Sequence, residues 1–263
     1  MMLVGFNRRD LGMCRSLFRM TLADRFLGSA LGLAWAVLSP ALLMAIFTFV
    51  FTFVFPNRLP GREGALPYVI WLLSGYGPWL ATSEGMSSAT VSVIGNAGVV
   101  KNIAFKSELL PIVGSLLAIV PLSVSLVVIF ALQIVSGELP KSAYLFLPAA
   151  IVLHFVFLAG LGLFLGALNV FIRDTALALP NALTALLFAS PIFYPLTVFP
   201  PIAQLIQKFN PFYVIAECYR GPLLDGKLPQ LGMVAYMALV AMAVFSAGLW
   251  WFRRLKSFFD TRL

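Results

Sequence analysis

Residues Leu109 to Val135 read LLPIVGSLLAIVPLSVSLVVIFALQIV, without a single charged side chain. A helix needs roughly 20 largely apolar residues to cross a bilayer, and this run exceeds that length. Five further stretches repeat the pattern at roughly Leu31 to Phe55, Leu66 to Met86, Tyr144 to Phe171, Thr175 to Pro195 and Leu231 to Phe252. No soluble domain fits between them. Only helices or closed barrels satisfy the backbone's polar groups in lipid, so the sequence predicts an all-α membrane protein of about six transmembrane helices. One domain is expected over residues 1–263. It has an amphipathic interface helix within 1–30, a six-span bundle over 31–252 and a cytoplasmic tail over 253–263.

Composition points the same way. Of 263 residues, 61% are hydrophobic and 11% charged, against about 25% charged in a soluble domain. Together with a mean hydropathy of +0.97, this excludes an ordinary globular enzyme, because so few charges cannot cover a water-exposed surface. One histidine, His154, and two cysteines, Cys14 and Cys218, fall short of a metal centre with its three or four closely spaced ligands. The net charge of +8 reads as basic inner loops, not as nucleic-acid binding. Arg8, Arg9, Arg15, Arg19 and Arg25 interrupt any apolar core a signal peptide would need, so the N-terminus is expected to be retained.

Orientation follows from Lys and Arg alone. With the N-terminus inside, twelve of the 18 fall on the inner side: in the N-terminal tail, at Lys101, Lys106 and Arg173, and in the C-terminal tail. Arg58, Arg62, Lys141, Lys208, Arg220 and Lys227 fall outside. Both termini are expected in the cytoplasm, with the two cysteines on opposite sides of the membrane.

Three segments stand apart from the spans. Arg8 to Phe26 predicts an amphipathic helix. At about 100° per residue, Arg8, Arg15 and Arg19 gather on one side, and Leu11, Cys14, Leu17 and Phe18 on another. Such a helix lies in the interface with its basic face towards anionic headgroups; the alternative is a basic leader that only fixes topology. Ser87 to Glu108 is too apolar for a solvated loop and predicts a short helix, docked either on a partner or on its own bundle. Leu196 to Gln230 is apolar but broken by Pro200, Pro201, Pro211, Pro222 and Pro229. A seventh span there would put the basic C-terminus outside, so two short re-entrant helices are expected. Asn210 and Pro211 suit a helix start, and Glu217 and Arg220 share a helix face and can pair.

Single residues add little chemistry. His154 lies inside a span without an acidic neighbour, which suits packing or hydrogen bonding better than proton relay. Glu84, near the inner end of the second span, either serves the function or snorkels to the interface. Gly221 to Lys227 reads GPLLDGK, close to a phosphate-binding loop, but Leu228 stands where Ser or Thr should hold magnesium and Pro229 follows. Any ATP must be bound by another chain. GLGLFLG (Gly160, Gly162, Gly166) predicts close helix packing. The alternating Phe47, Phe49, Phe51, Phe53 and Phe55 would point to several faces of a helix, some of them candidates to line a path.

Several stretches, in order, resemble one family. These are the basic leader running into LGLAWAVLSP (Leu31 to Pro40), NAGVVKNIAFKSELLP (Asn96 to Pro111), NVFIRDTA (Asn169 to Ala176), SPIFYP (Ser190 to Pro195) and NPFYVIAECYRGPLL (Asn210 to Leu224). The whole chain resembles the membrane subunit of ABC exporters for polysaccharides, the class of O-antigen, capsule and teichoic-acid permeases. The resemblance implies an ATP-driven channel subunit moving lipid-linked polysaccharide out of the cytoplasm, O-antigen foremost. It implies a cell inner-membrane location, a second copy of the chain, two ATPase subunits that bind ATP and magnesium, and no cofactor on this chain. The leader resembles an interface helix, with Arg15, Arg19 and Arg25 near the membrane surface. Ser92, Asn96, Lys101, Asn102 and Phe105 match a coupling helix, and Arg173 and Asp174 a cytoplasmic turn, read as an ion pair. Asn210, Pro211, Glu217 and Arg220 match external gate helices. Where the family often has paired basic residues before an FP motif, this chain has Lys101, Phe105 and Lys106. A glycan channel wants aromatic surfaces and few fixed charges, which makes Tyr68, Trp71, Tyr76, Trp79, Phe193 and Tyr194 candidates to line it.

Three rivals remain. A membrane enzyme would need paired carboxylates or a His with an acidic neighbour, and the 10 acidic residues are scattered. An ABC permease for drugs or lipids would share the general fold. An ATP-independent carrier or channel is the last.

Overall fold

The computed structural model describes residues 7–54, 66–102, 105–137 and 141–262. The expected outside charges Arg58 and Arg62, together with Phe55, lie outside the described residues. So do the side chains of Arg8, Lys101 and Asn102. The described chain is helical, without a strand among the described residues. In chain order its α-helices are α1 (Arg8–Asp24), α2 (Ala34–Phe49), α3 (Leu66–Gly95), α4 (Ala97–Asn102), α5 (Leu109–Leu116), α6 (Ile119–Val135), α7 (Leu147–Phe171), α8 (Asp174–Ala189), α9 (Pro201–Gln207), α10 (Pro211–Arg220) and α11 (Leu231–Leu255). The protein is an all-α membrane protein.

Among the described residues, four helical stretches are both long and apolar enough to cross a bilayer: Ala34–Val54, Leu109–Val135, Ser142–Phe171 and Leu231–Phe259. The other two expected spans differ. Helix α3 has 30 residues, but its Gly, Ser and Thr dilute its hydropathy, and α8 has 16. Helix α3 also continues past Met86, where the sequence placed its end. Its polar side chains bond inside the helix: Thr90 donates to the Met86 carbonyl at 2.7 Å and Ser92 to that of Ala89 at 2.7 Å. Hydropathy falls there without the helix ending. The expected third span is two helices, α5 and α6, with Pro121 in the first turn of α6, where its missing N–H is tolerated.

Helix α3 is the axis of the fold, buried along Tyr68 to Trp79 and flanked by α5, α6, α7, α8 and α10. Helix α7 packs along α11 over a seam of small residues. A Cβ on Gly160 would stand 2.5 Å from the Phe245 amide nitrogen of α11, while on another side of α7 one on Gly162 would stand 2.7 Å from the Ala89 Cβ of α3. The GLGLFLG run is therefore a packing surface, as its spacing predicts.

Candidate functional site

Helix α1 lies against α5; its Cys14, Leu17 and Phe18 are half-buried, while Arg15 and Arg19 are exposed. Leu11, expected on the apolar side, is 73% exposed. Two ion pairs fasten α1. Asp10 accepts from the Asn7 amide at 2.6 Å and from Lys106 Nζ at 2.5 Å. The Lys106 ammonium, and then the Asn7 amide, hold the Asp10 carboxyl below its ordinary value of 3.8. At the other end of α1, Arg25 forms a two-pronged pair with Glu84, whose carboxylate also accepts from Ser88 at 2.6 Å. Glu84 is thus held in an ion pair at the end of α1.

That pair borders a cavity of about 540 Å³ between α1, α2, α3 and the α5–α6 junction. Its polar side carries Arg25, Glu84, Ser83 and Ser87, and its apolar side includes Trp35 and Leu43. The shape suits an amphipathic guest. A second groove of about 590 Å³ runs alongside, past Thr21, Asp24, Ser88, Ser92 and Asn96.

Of the expected coupling residues, Ser92 and Asn96 close α3: the Asn96 side chain donates to the Ser92 carbonyl at 2.8 Å. The Asn96 carbonyl then accepts from Val99 and Val100 at 3.0 Å, starting α4. Phe105 and Lys106 sit beside Arg9, Asp10 and Met13 of α1. Arg173 and Asp174 are both exposed, and the expected ion pair between them is absent. Asp174 opens α8, where its charge favours the helix N-terminus, and neighbours one apart on a helix do not face each other. What fixes that turn is Asn169, which sequence reasoning left without a role. It is 2% exposed, donates to the Thr90 carbonyl of α3 at 3.0 Å and accepts the Ala176 amide at 3.3 Å. A polar residue in the last turn of a largely apolar helix was the available signal.

The proline-broken stretch forms α9 and α10. Asn210 caps α10 through its side-chain oxygen, which accepts the Phe212 amide at 3.0 Å, and Pro211 takes the first position. Asn210 also donates to Ser190 Oγ at 2.9 Å, joining α10 to the end of α8. Arg220 pairs with Glu217 at 3.0 Å, but most of its partners are carbonyls. It donates to Pro191 at 3.1 Å, Ile192 at 2.5 Å and Trp71 at 3.4 Å, and lies 4.1 Å above the Trp71 ring. The GPLLDGK turn bends away at Gly226, whose φ is +63°, and Lys141 reaches its Leu224 carbonyl at 3.0 Å. That bond ties the turn to Lys141.

Five of the six aromatic candidates are covered by their own chain. Tyr68, Trp71, Tyr76, Trp79 and Phe193 are buried. Trp71 carries Arg220, Trp79 packs edge-on against Phe212, and Phe193 stacks on Phe47 at 5.0 Å. In this conformation they form a wall, while Tyr194 is partly exposed and bonds the Phe188 carbonyl. His154 is buried between Thr82 at 2.9 Å and Tyr219 at 3.3 Å, a structural hydrogen bonder.

Among known proteins, the family described as ABC-2 type transporter matches residues 13–224. The chain is 25% identical over 253 residues to the O-antigen export system permease protein RfbA of Myxococcus xanthus, covering 95% of this chain and 92% of that protein. Two O-antigen export system permease proteins RfbA of Klebsiella pneumoniae are each 23% identical over 233 residues, covering 88% of this chain and 87% of theirs.

Proposed function

The chain belongs to the ABC-2 type transporter family, and on that premise we propose that it is the channel subunit through which an ATP-driven exporter moves a lipid-linked polysaccharide, O-antigen foremost, out of the cytoplasm. The family makes the chain a membrane transport subunit of an ABC transporter, not itself an enzyme, beside an ATPase partner. What carries the substrate class is the similarity to O-antigen export permeases, which runs nearly end to end in both proteins. The cavity beside Arg25 supports it, because charged and hydroxyl groups face apolar walls there, as a guest with a polar head and a lipid tail requires.

In this reading two copies of the chain enclose the path in the inner membrane, as a six-span bundle with both termini cytoplasmic. Two ATPase subunits bind ATP and magnesium below. The end of α3, α4 and Phe105 receive the motion of those subunits, with Arg173 and Asp174 at the edge of the contact. Helix α1 lies in the interface with Arg15 and Arg19 towards headgroups. Helices α9 and α10 gate the external end, with Arg220 and Asn210 as their fastenings. Tyr194 is the aromatic left available to sugar, and the buried five stiffen the wall behind it.

The test is purification from native membranes with co-purifying chains identified, then ATP hydrolysis and glycan export measured together. A soluble subunit with a true phosphate-binding loop, and undecorated lipid-linked glycan accumulating inside cells lacking this chain, are the expected results. Recovery of the chain alone under gentle detergent, with export unaffected by its deletion, would sink the reading.

A further inference from the structure

A second charged cluster forms around an acid that directly precedes the apolar run of α5. The Glu108 side chain is 2% exposed. One carboxylate oxygen, Oε1, accepts from Arg253 Nε at 3.2 Å and from Lys256 Nζ at 3.0 Å. The other, Oε2, is buried with no hydrogen-bond partner among the described residues. The two cations are 33% and 42% exposed, so each still reaches water. The carboxylate does not.

A buried carboxylate is unfavourable unless paired. This one therefore holds α5 to the end of α11 for as long as it is charged. Burial raises the pKa of Glu108, but its own backbone amide and the Lys256 and Arg253 side chains outweigh that and hold it below its ordinary value of 4.5.

The neighbourhood makes the pairing mechanical. Two residues before Glu108, Lys106 is bonded to Asp10 of α1. One turn beyond Arg253 and Lys256, Phe259 is 1% exposed. Its ring lies 5.3 Å from Phe252 and 6.1 Å from Phe171, in the last turn of α7. Residues 106–108 are thus tied to the first helix on one side and to the last helix on the other.

We propose that Glu108 is a positioning residue for energy coupling: its pairs with Arg253 and Lys256 make the segment after α4 and the C-terminal end of α11 move as one body. The inference rests on the exporter reading, and Glu108 touches neither nucleotide nor glycan. It assigns the C-terminal tail a share in transmission.

The experiment uses the complete complex of this chain with its ATPase subunit in proteoliposomes, reading glycan moved per ATP hydrolysed. Glu108→Gln keeps the shape and removes the charge. Assembly and hydrolysis are expected to persist while glycan moved per ATP falls about fivefold or more, the lower range of ordinary coupling strengths. Because Glu108→Lys alone invites misfolding, it is compared with Glu108→Lys combined with Lys256→Glu. The reversed pair is expected to recover part of the lost ratio. A wild-type ratio in Glu108→Gln overturns the proposal, as does a parallel fall in assembly, hydrolysis and export, which marks a structural role only. The unmodified complex separates the two readings: if it neither hydrolyses ATP nor exports, the exporter reading itself fails and the coupling role falls with it.

Discussion

Arg220 is 3% exposed and is held by three carbonyls, one carboxylate and one indole face. Its guanidinium supplies five donors in a rigid fork, which is what three separate carbonyls and a carboxylate need. The Glu217 partner was legible as a spacing of three. The carbonyls were not, because they lie 28 to 149 residues away and backbone acceptors carry no sequence signal. The two kinds of partner predict different mutational costs. Arg220→Ala should destabilise the detergent-solubilised protein by about 3–5 kcal/mol, since it empties a buried charged site and strands carbonyls that faced it. Glu217→Gln should cost only about 1 kcal/mol, because the carbonyl cage remains. Thermal unfolding of both variants decides; equal losses would mean that the ion pair, not the cage, holds Arg220. Gly75 reports on the same site. A Cβ there would lie 2.8 Å from Arg220 Cζ, so Gly75→Ala should cost about 1–3 kcal/mol through overpacking, and Gly98→Ala, which meets open space, should not.

At the scale of elements, the apolar runs and proline breaks located most helices, but not what fastens them. The run to Gly95 reads as the start of a separate short helix because Ser and Thr lower the hydropathy past Met86, although their hydroxyls bond within α3 itself. The docking of α1 rests in part on Asp10 and Lys106, two residues 96 positions apart, and was unreadable because so distant a pair leaves no local spacing in the sequence. Its pH behaviour follows from its sign. A carboxyl whose pKa is depressed on folding stabilises the folded state above its unfolded value, and that contribution is lost as pH falls through the folded one. With ordinary values of 3.8 for Asp10 and 4.5 for Glu108, both lowered, the fastenings stay intact at neutral pH and loosen only in acid. Hydrogen exchange at residues 105–108 should be flat, after correction for intrinsic rate, from about pH 8 to about pH 5.5 and rise below about pH 4. A rise near neutrality would contradict the pairing. Cys14 gives a second probe. Burial, and then the Asp10 charge, push its thiol up from 9.0. Asp10→Asn removes the charge and loosens the helix, so maleimide should label Cys14 faster than in the wild type at about pH 7.5. An unchanged rate would mean that α1 stays docked without Lys106.

For the whole molecule, the question is which exposed helix faces lipid and which faces the path. Only 6% of the most apolar stretch of α2 is buried by this chain, against 50% for α7. Away from the cavity that its Trp35, Ser39 and Leu43 line, its exposed side chains include Leu42, Ile46 and Phe49, all apolar, and lipid suffices to cover them. Helix α8 differs. Alongside exposed Leu177 and Phe188 it exposes Asn181 and Thr184, and polar side chains at membrane depth turn towards protein or a water-filled path. The sequence had marked α8 as a span without distinguishing its faces, because one chain's hydropathy does not say where a second chain stands. If two copies enclose the path, as proposed, α8 and not the outer face of α2 is expected to border it. In a background with Cys14→Ser and Cys218→Ser, a cysteine at Asn181 or Thr184 should react with a charged, membrane-impermeant thiol reagent or cross-link to its counterpart in a second copy. A cysteine at Ile46 should do neither. Labelling at Ile46 with silence at both α8 positions would reverse the assignment, putting α2 at the path and α8 against lipid, where Asn181 would have to find its hydrogen bonds within its own helix.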